Sequence, residues 1–237
     1  MLEVRRSLDR GYANQGGLKS YHTFSFGDYY DPVFEDFGAL RVINEDRLKP
    51  GKGYDPKDPG VKEADVEILT YIISGELEHQ DSLGNKSVLR PGDLQRWSAG
   101  AGVQNELNPS ASREAHLLQI WLKPGAAGPA PGYAQKHFPA SEKRGKLLLL
   151  ASLNGAEGSL RIRQDARLYS GFFNAAERVE FEVPQGRRAY AHVASGSIAV
   201  NETRLNAGDG VKITRSGRFA LQSGRDAEVL MFDLPGG

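Results

Sequence analysis

The chain has 237 residues, a formal net charge of zero and no cysteine. That length allows one large β domain or two small ones. The missing thiols exclude disulfides, zinc–thiolate centres and cysteine nucleophiles. The balanced charge offers no basic face for direct nucleic-acid binding. No apolar run reaches the roughly 18 residues of a membrane-spanning helix. The opening MLEVRRSLDRGYANQ lacks the apolar stretch of a secretion signal. The expectation is a cytoplasmic protein with neither a membrane nor a nucleic-acid partner.

In chain order, the apolar runs are short, rich in β-branched and aromatic residues, and bounded by Gly, Pro, Asn or Asp. VEILTYIISG, SVLRPGDLQRWS, HLLQIWL and EVLMFDL all follow this rule, the signature of many short strands joined by tight turns. Between the first and second halves lies LKPGAAGPAPGY, Leu122 to Tyr133, whose composition suits a linker. Two stretches beside it are candidate short helices, Tyr133 to His137 and Ser141 to Leu147.

One β unit occurs twice. YIISGELEHQDSLGNKSVLRPGDLQRWSAG runs from Tyr71 to Gly100, and AHVASGSIAVNETRLNAGDGVKITRSG from Ala191 to Gly217. Each has Ser-Gly, an alternating strand, a turn, a second strand and then Gly-Asp. Gly75 corresponds to Gly196, and Gly92-Asp93 to Gly208-Asp209. The glycine intervals are 17 and 12 residues, and the extra turn Asp81 to Asn85 accounts for the difference.

The repeated S-G…P-G-D pattern resembles the cupin superfamily. GYANQGGLKSYHTFSFGDYYDPVFEDFGALRVINED, ILTYIISGELEHQDSLGN, SAGAGVQNELNPS and the terminal FDLP together resemble the pirin family, with its bacterial members of quercetin 2,3-dioxygenase type. The resemblance implies an all-β chain of two cupin (RmlC-like jelly-roll) β-barrels in tandem, with short helices near the linker. The expected division is an N-terminal barrel over 1–125, a linker over 126–140 and a C-terminal barrel over 141–237.

The family also implies a metal site in the N-terminal barrel, holding Fe or another divalent ion. Two histidines come as H-P-H before the E-I-L-T-Y strand, and a further histidine and a glutamate as H-x-E after the S-A-G bend. Residues i and i+2 of a strand share a face, so each pair aims two ligands inward. Counted back from Glu67, the first pair is Val61 and Glu63. Counted on from Ser98, the second pair is Asn105 and Leu107. On this count the His/His/His/Glu set is lost and no cofactor is expected. Glu106 falls between the slots and faces away, unless a one-residue slip turns it inward. Glu63 and Glu106 remain the outside candidates for an oxygen-ligand metal site.

The cavity left behind is a candidate pocket for a small molecule, lined by Val61, Glu63, Asn105, Leu107 and Gln119, and Trp97 reads as core. His79 reads as a surface residue of its hairpin. His22 reads as locally hydrogen-bonded beside packed aromatics, and His116 as a partly buried structural residue. No two histidines stand at i, i+2 or i, i+4. The expected function is a non-catalytic protein binding a small ligand or a protein partner. The alternative is a metal-dependent quercetin 2,3-dioxygenase with replacement ligands.

Overall fold

The structure is a computed structural model and describes residues 2–54, 66–81, 84, 86–98, 103–125 and 132–236. The chain forms two units. One is Gly11–His137; the other joins Phe138–Gly237 to Met1–Arg10.

The first unit carries β2 (Gly11–Gln15), β3 (Leu18–His22), β4 (Leu40–Leu48), β5 (Glu67–Ser74), β6 (Leu77–Asp81), β7 (Lys86–Leu89), β8 (Asp93–Ser98), β9 (Val103–Leu107), β10 (Ala115–Leu122) and β11 (Tyr133–His137). Seven strands form a sheet in the order β11-β8-β5-β10-β4-β3-β2, and β7-β6-β9 form a second, three-stranded sheet. In the second unit β1 (Leu2–Arg5) joins β12 (Leu148–Ser152), β13 (Leu160–Arg161), β14 (Arg167–Phe173), β15 (Val179–Val183), β16 (Arg187–Val200), β17 (Thr203–Asn206), β18 (Gly210–Ile213) and β19 (Gly217–Pro235) in one nine-stranded sheet. The architecture is the expected pair of jelly-roll cupin domains. The sheets are open rather than closed into barrels, since each path ends on a strand with one partner, β1 and β13 in one unit and β11 and β2 in the other.

Tyr133–His137 is a strand, not a helix. Its five residues pair antiparallel with β8 from Trp97 to Asp93, and this pairing overrides the helix preference of Ala, Gln and Lys. Tyr133, Gln135 and His137 fall on one face there. The Tyr133 hydroxyl donates to Gln135 Oε1 at 2.9 Å, and Gln135 Nε2 and His137 Nδ1 both reach the Asp93 carboxylate. The second candidate helix is one turn only, α1 (Ala140–Lys143), and Gly145 turns the chain out of it at φ 64°.

Both copies of the repeat make the same local bonds. Gly92 N–H donates to Ile72 O and Gly208 N–H to Val193 O, each spanning the Ser-Gly bend. Asp93 accepts from Arg90 N–H, and Asp209 from Asn206 N–H. The aspartate of each Gly-Asp pair therefore closes its own turn. At the bend, Gly75 has φ 76° and Gly196 φ 66°. A Cβ on Gly75 would lie 2.4 Å from the Glu114 carbonyl oxygen, and one on Gly196 2.2 Å from that of Asp226. Only glycine fits there.

The second unit encloses an aliphatic and aromatic core that includes Phe173, Val193, Ile198, Val211, Phe219 and Met231. The interior of the first unit is organised differently, in layers.

Candidate functional site

In the first unit, strand register lines up one residue from each of five strands. Gln95 on β8 pairs with Thr70 on β5, Thr70 with Gln119 on β10, Gln119 with Asn44 on β4, and Asn44 with His22 on β3. These five polar side chains form a belt across the large sheet, and all are buried. The belt lies on the face turned toward the small sheet, because Gln95 Nε2 donates to Glu106 Oε1 on β9 at 2.8 Å. On one side of it lies an apolar layer of Val42, Val66, Ile68, Trp97 and Trp121. On the other lies a layer of Leu18, Leu48, Ile72, Leu77, Leu89 and Leu117. Alternation along each strand produces this stacking, since residues two apart share a face.

The small sheet meets the belt with His79, Asp81 and Glu106. His79 Nδ1 donates to Glu106 Oε1 at 2.9 Å. Its ring stacks on Tyr133 at 4.8 Å between centroids. Among the described residues His79 Nε2 has no hydrogen-bond partner, and it stands 4.0 Å from Asp81 Oδ2. Burial raises the Tyr133 hydroxyl above its ordinary pKa, and the Ser87 hydroxyl bonded to it pulls the other way.

This arrangement corrects two sequence expectations. His79 is fully buried, not a surface residue of its hairpin. The signal was present in LEHQD, where Leu77 fixes the inward face and His79 and Asp81 follow in phase. Glu106 faces inward, opposite His79, rather than away from the interior. Asn105 pairs with Gln80 and Leu107 with Glu78, so both stand on the other face, half-buried. The cause is a bulge. Gln80 pairs with Asn105, but the next residue, Asp81, pairs with Val103. One extra residue, Gln104, is thus inserted in β9, and a count from the glycine bend through it is offset by one. The chain beyond is pinned by Asn108, whose Nδ2 donates to Leu48 O and Arg113 O. Gln119 is in the belt, while Val61 and Glu63 lie outside the described residues.

Asn44, Thr70, Gln95 and Asp81 escaped the sequence reading, as did two further inward residues, Asp46 and Tyr54. Asp46 follows Asn44 on the inner face of β4, and its Oδ2 accepts from the Tyr54 hydroxyl at 2.6 Å. Burial raises Asp46 to a pKa of about 6 against the pull of Ser20 and Tyr54, and nearby Glu45 and Glu106 add to the rise. Burial and then Asp46 push Tyr54 well above its usual value. His22 and His116 are each held by a hydrogen bond within the unit. His22 donates to Asn44 Oδ1 at 2.9 Å beside Phe26 and Tyr29, and His116 Nε2 bonds Glu45 Oε1 at 2.9 Å.

Residues 2–122 match the family model described as Pirin, and residues 149–234 match the one described as Quercetinase C-terminal cupin domain. The chain belongs to the pirin family. Among curated pirin relatives, the quercetin 2,3-dioxygenase of Escherichia coli K12 is 40% identical over 236 residues, covering 99% of each chain. A pirin-like protein of Caulobacter vibrioides is 38% identical, covering 97% of this chain and 98% of its own. The crystal structure of Escherichia coli YhhW superposes with a TM-score of 0.90 at 38% identity, over 100% of this pirin and 99% of YhhW. A second YhhW structure, a bacterial pirin in complex with nickel(II), gives 0.89 over the full length of both chains.

Such a relative raises the question of a metal here. At the family's second ligand pair this pirin presents one inward carboxylate, Glu106, and one of its oxygens is already held by His79 and Gln95. Among the described residues no three His, Asp or Glu side chains converge on one point. By themselves these donors do not fit a three- or four-ligand centre.

Proposed function

We propose that this pirin binds a small organic molecule within its N-terminal cupin domain, and that its family metal centre has lost the His/His/His/Glu ligands. One observation carries the reading. Thr70 Oγ1, His79 Nε2, Gln95 Oε1, Trp97 Nε1, Trp121 Nε1 and Asp46 Oδ1 are all buried there without hydrogen-bond partners among the described residues. A buried polar atom left unsatisfied costs roughly 1–3 kcal/mol, and most buried polar groups in folded proteins are paired. Six on one interior, donors and acceptors mixed between apolar layers, suit a planar hydroxylated guest. The name of the Escherichia coli relative supplies a probe, the flavonol quercetin. Calorimetric titration with quercetin should show saturable binding near one equivalent, and the protein as purified should carry no stoichiometric transition metal. Tight iron, copper or nickel binding with bleaching of quercetin overturns this reading.

A second reading is favoured by the inward turn of Glu106. Here the pirin is a metal-dependent quercetin 2,3-dioxygenase with replacement ligands, Glu106 among them and Glu63 the other candidate. It predicts turnover of quercetin only after metal loading, abolished by Glu106→Gln. Unchanged quercetin absorbance in the metal-loaded protein rejects it.

A further inference from the structure

Asp46 is set apart from the other inward groups by what surrounds it. It pairs with Ser20 on β3 and Leu117 on β10, one inward position beyond the belt residues Asn44 and Gln119. The side chain is 2% exposed. Tyr54 holds Oδ2, the Ser20 hydroxyl also stabilises the carboxylate, and among the described residues Oδ1 has no hydrogen-bond partner. Tyr54 is itself fixed, since its backbone N–H donates to Glu106 O at 2.9 Å and the Gln119 side chain bonds its hydroxyl. Among the described residues, the charged groups acting on Asp46 are Glu45 and Glu106, both acids. Glu45 is tied to His116 and Arg47. A desolvated carboxylate with acidic neighbours and one open oxygen is a strong hydrogen-bond acceptor and a base tuned toward neutrality.

We propose that Asp46 is the proton acceptor for an acidic hydroxyl, phenolic or enolic, of a small molecule bound in the N-terminal cupin domain. Tyr54 is the residue that positions its carboxylate. The inference rests on the ligand-binding reading above and names the chemistry of that ligand. In the transfer the ligand O–H bond breaks and the proton goes to Asp46 Oδ1. The bonding pair stays on the ligand oxygen, so one negative charge moves from carboxylate to ligand and the net charge of the interior is unchanged. An enol or an acidified phenol lies near enough to the carboxyl in acidity for such transfer, whereas an aliphatic alcohol is far too weak an acid. A cationic guest would pair with Asp46 without any transfer.

Quercetin distinguishes these cases, because ionisation of a flavonol hydroxyl moves its long-wavelength absorption band to the red. Titrated into the full-length protein at about pH 7, bound quercetin should show the ionised band under conditions where the free molecule does not. That band should fade as pH drops through about 6, where Asp46 already carries a proton before quercetin binds and can accept no second one. At saturating quercetin, Asp46→Asn should show only the neutral band at every pH. Tyr54→Phe removes a bond that lowers the Asp46 pKa, so the midpoint should move to higher pH. Circular dichroism confirms that each variant is folded. Binding with a neutral band in the parent protein overturns the inference alone, as does an ionised band that persists in Asp46→Asn. No binding at all overturns the ligand reading together with it.

Discussion

Asp46 has a consequence for stability as well as for ligands. Its folded pKa of about 6 lies above the ordinary value of 3.8, so the folded state binds this proton more tightly than the unfolded chain does. Stability therefore falls as pH rises through the window from about 4 to about 6, and the whole cost is present above it. A shift of this size corresponds to at most about 3 kcal/mol. Asn cannot ionise and can still accept from Tyr54. Asp46→Asn should therefore melt higher than the parent at about pH 8 and nearly level with it at about pH 4, a difference read by thermal denaturation across pH. Equal melting at both pH values would remove the desolvated carboxylate from the account. The position of Asp46 was legible in the sequence. Leu40, Val42, Asn44, Asp46 and Leu48 alternate in phase, and the outer members of that set are core. Its bond to Tyr54 was not legible, because the two residues belong to segments whose contact no local pattern encodes.

The repeated hairpin unit was readable because its chemistry is local. A Ser-Gly bend demands positive φ, and a Gly-Asp pair closes a turn with its own carboxylate, so both leave fixed residue types at fixed offsets. Gly75→Ala and Gly196→Ala should each destabilise the unit they sit in by about 2 kcal/mol or more, since each combines left-handed backbone with a clash against a neighbouring carbonyl. Chemical denaturation of the full chain measures both, and a loss under about 0.5 kcal/mol for either would show that its bend relaxes freely. The bulge at Gln104 left no comparable mark. Nothing in SAGAGVQNELNPS distinguishes an inserted residue from ordinary alternation. Register there is set by β6, through the pairing of His79 with Glu106, which is long-range information. The strand at Tyr133–His137 was hidden for the same reason: its residues favour helix locally, and only the edge of β8 makes them extended.

For the whole molecule, composition and repeat indicated two similar β units and the family resemblance identified them as cupin domains, whereas the division of labour between their interiors emerged only from the register. One interior is a continuous apolar core. The other places a polar belt between two apolar layers, and the ligand-binding reading depends on that belt. The chain has two tryptophans. Both, Trp97 and Trp121, lie in the apolar layer beside the belt, so intrinsic tryptophan fluorescence reports on the N-terminal interior alone. The most direct measurement is a quercetin titration followed by this fluorescence, in the parent protein, in Gln119→Leu within the belt and in Asn105→Ala on the opposite strand face. Saturable quenching should appear in the parent protein, weaken at least about tenfold in Gln119→Leu, equivalent to about 1.4 kcal/mol, and remain unchanged in Asn105→Ala. Absence of saturable quenching, or equal quenching in the parent protein and Gln119→Leu, would contradict a ligand site at the belt.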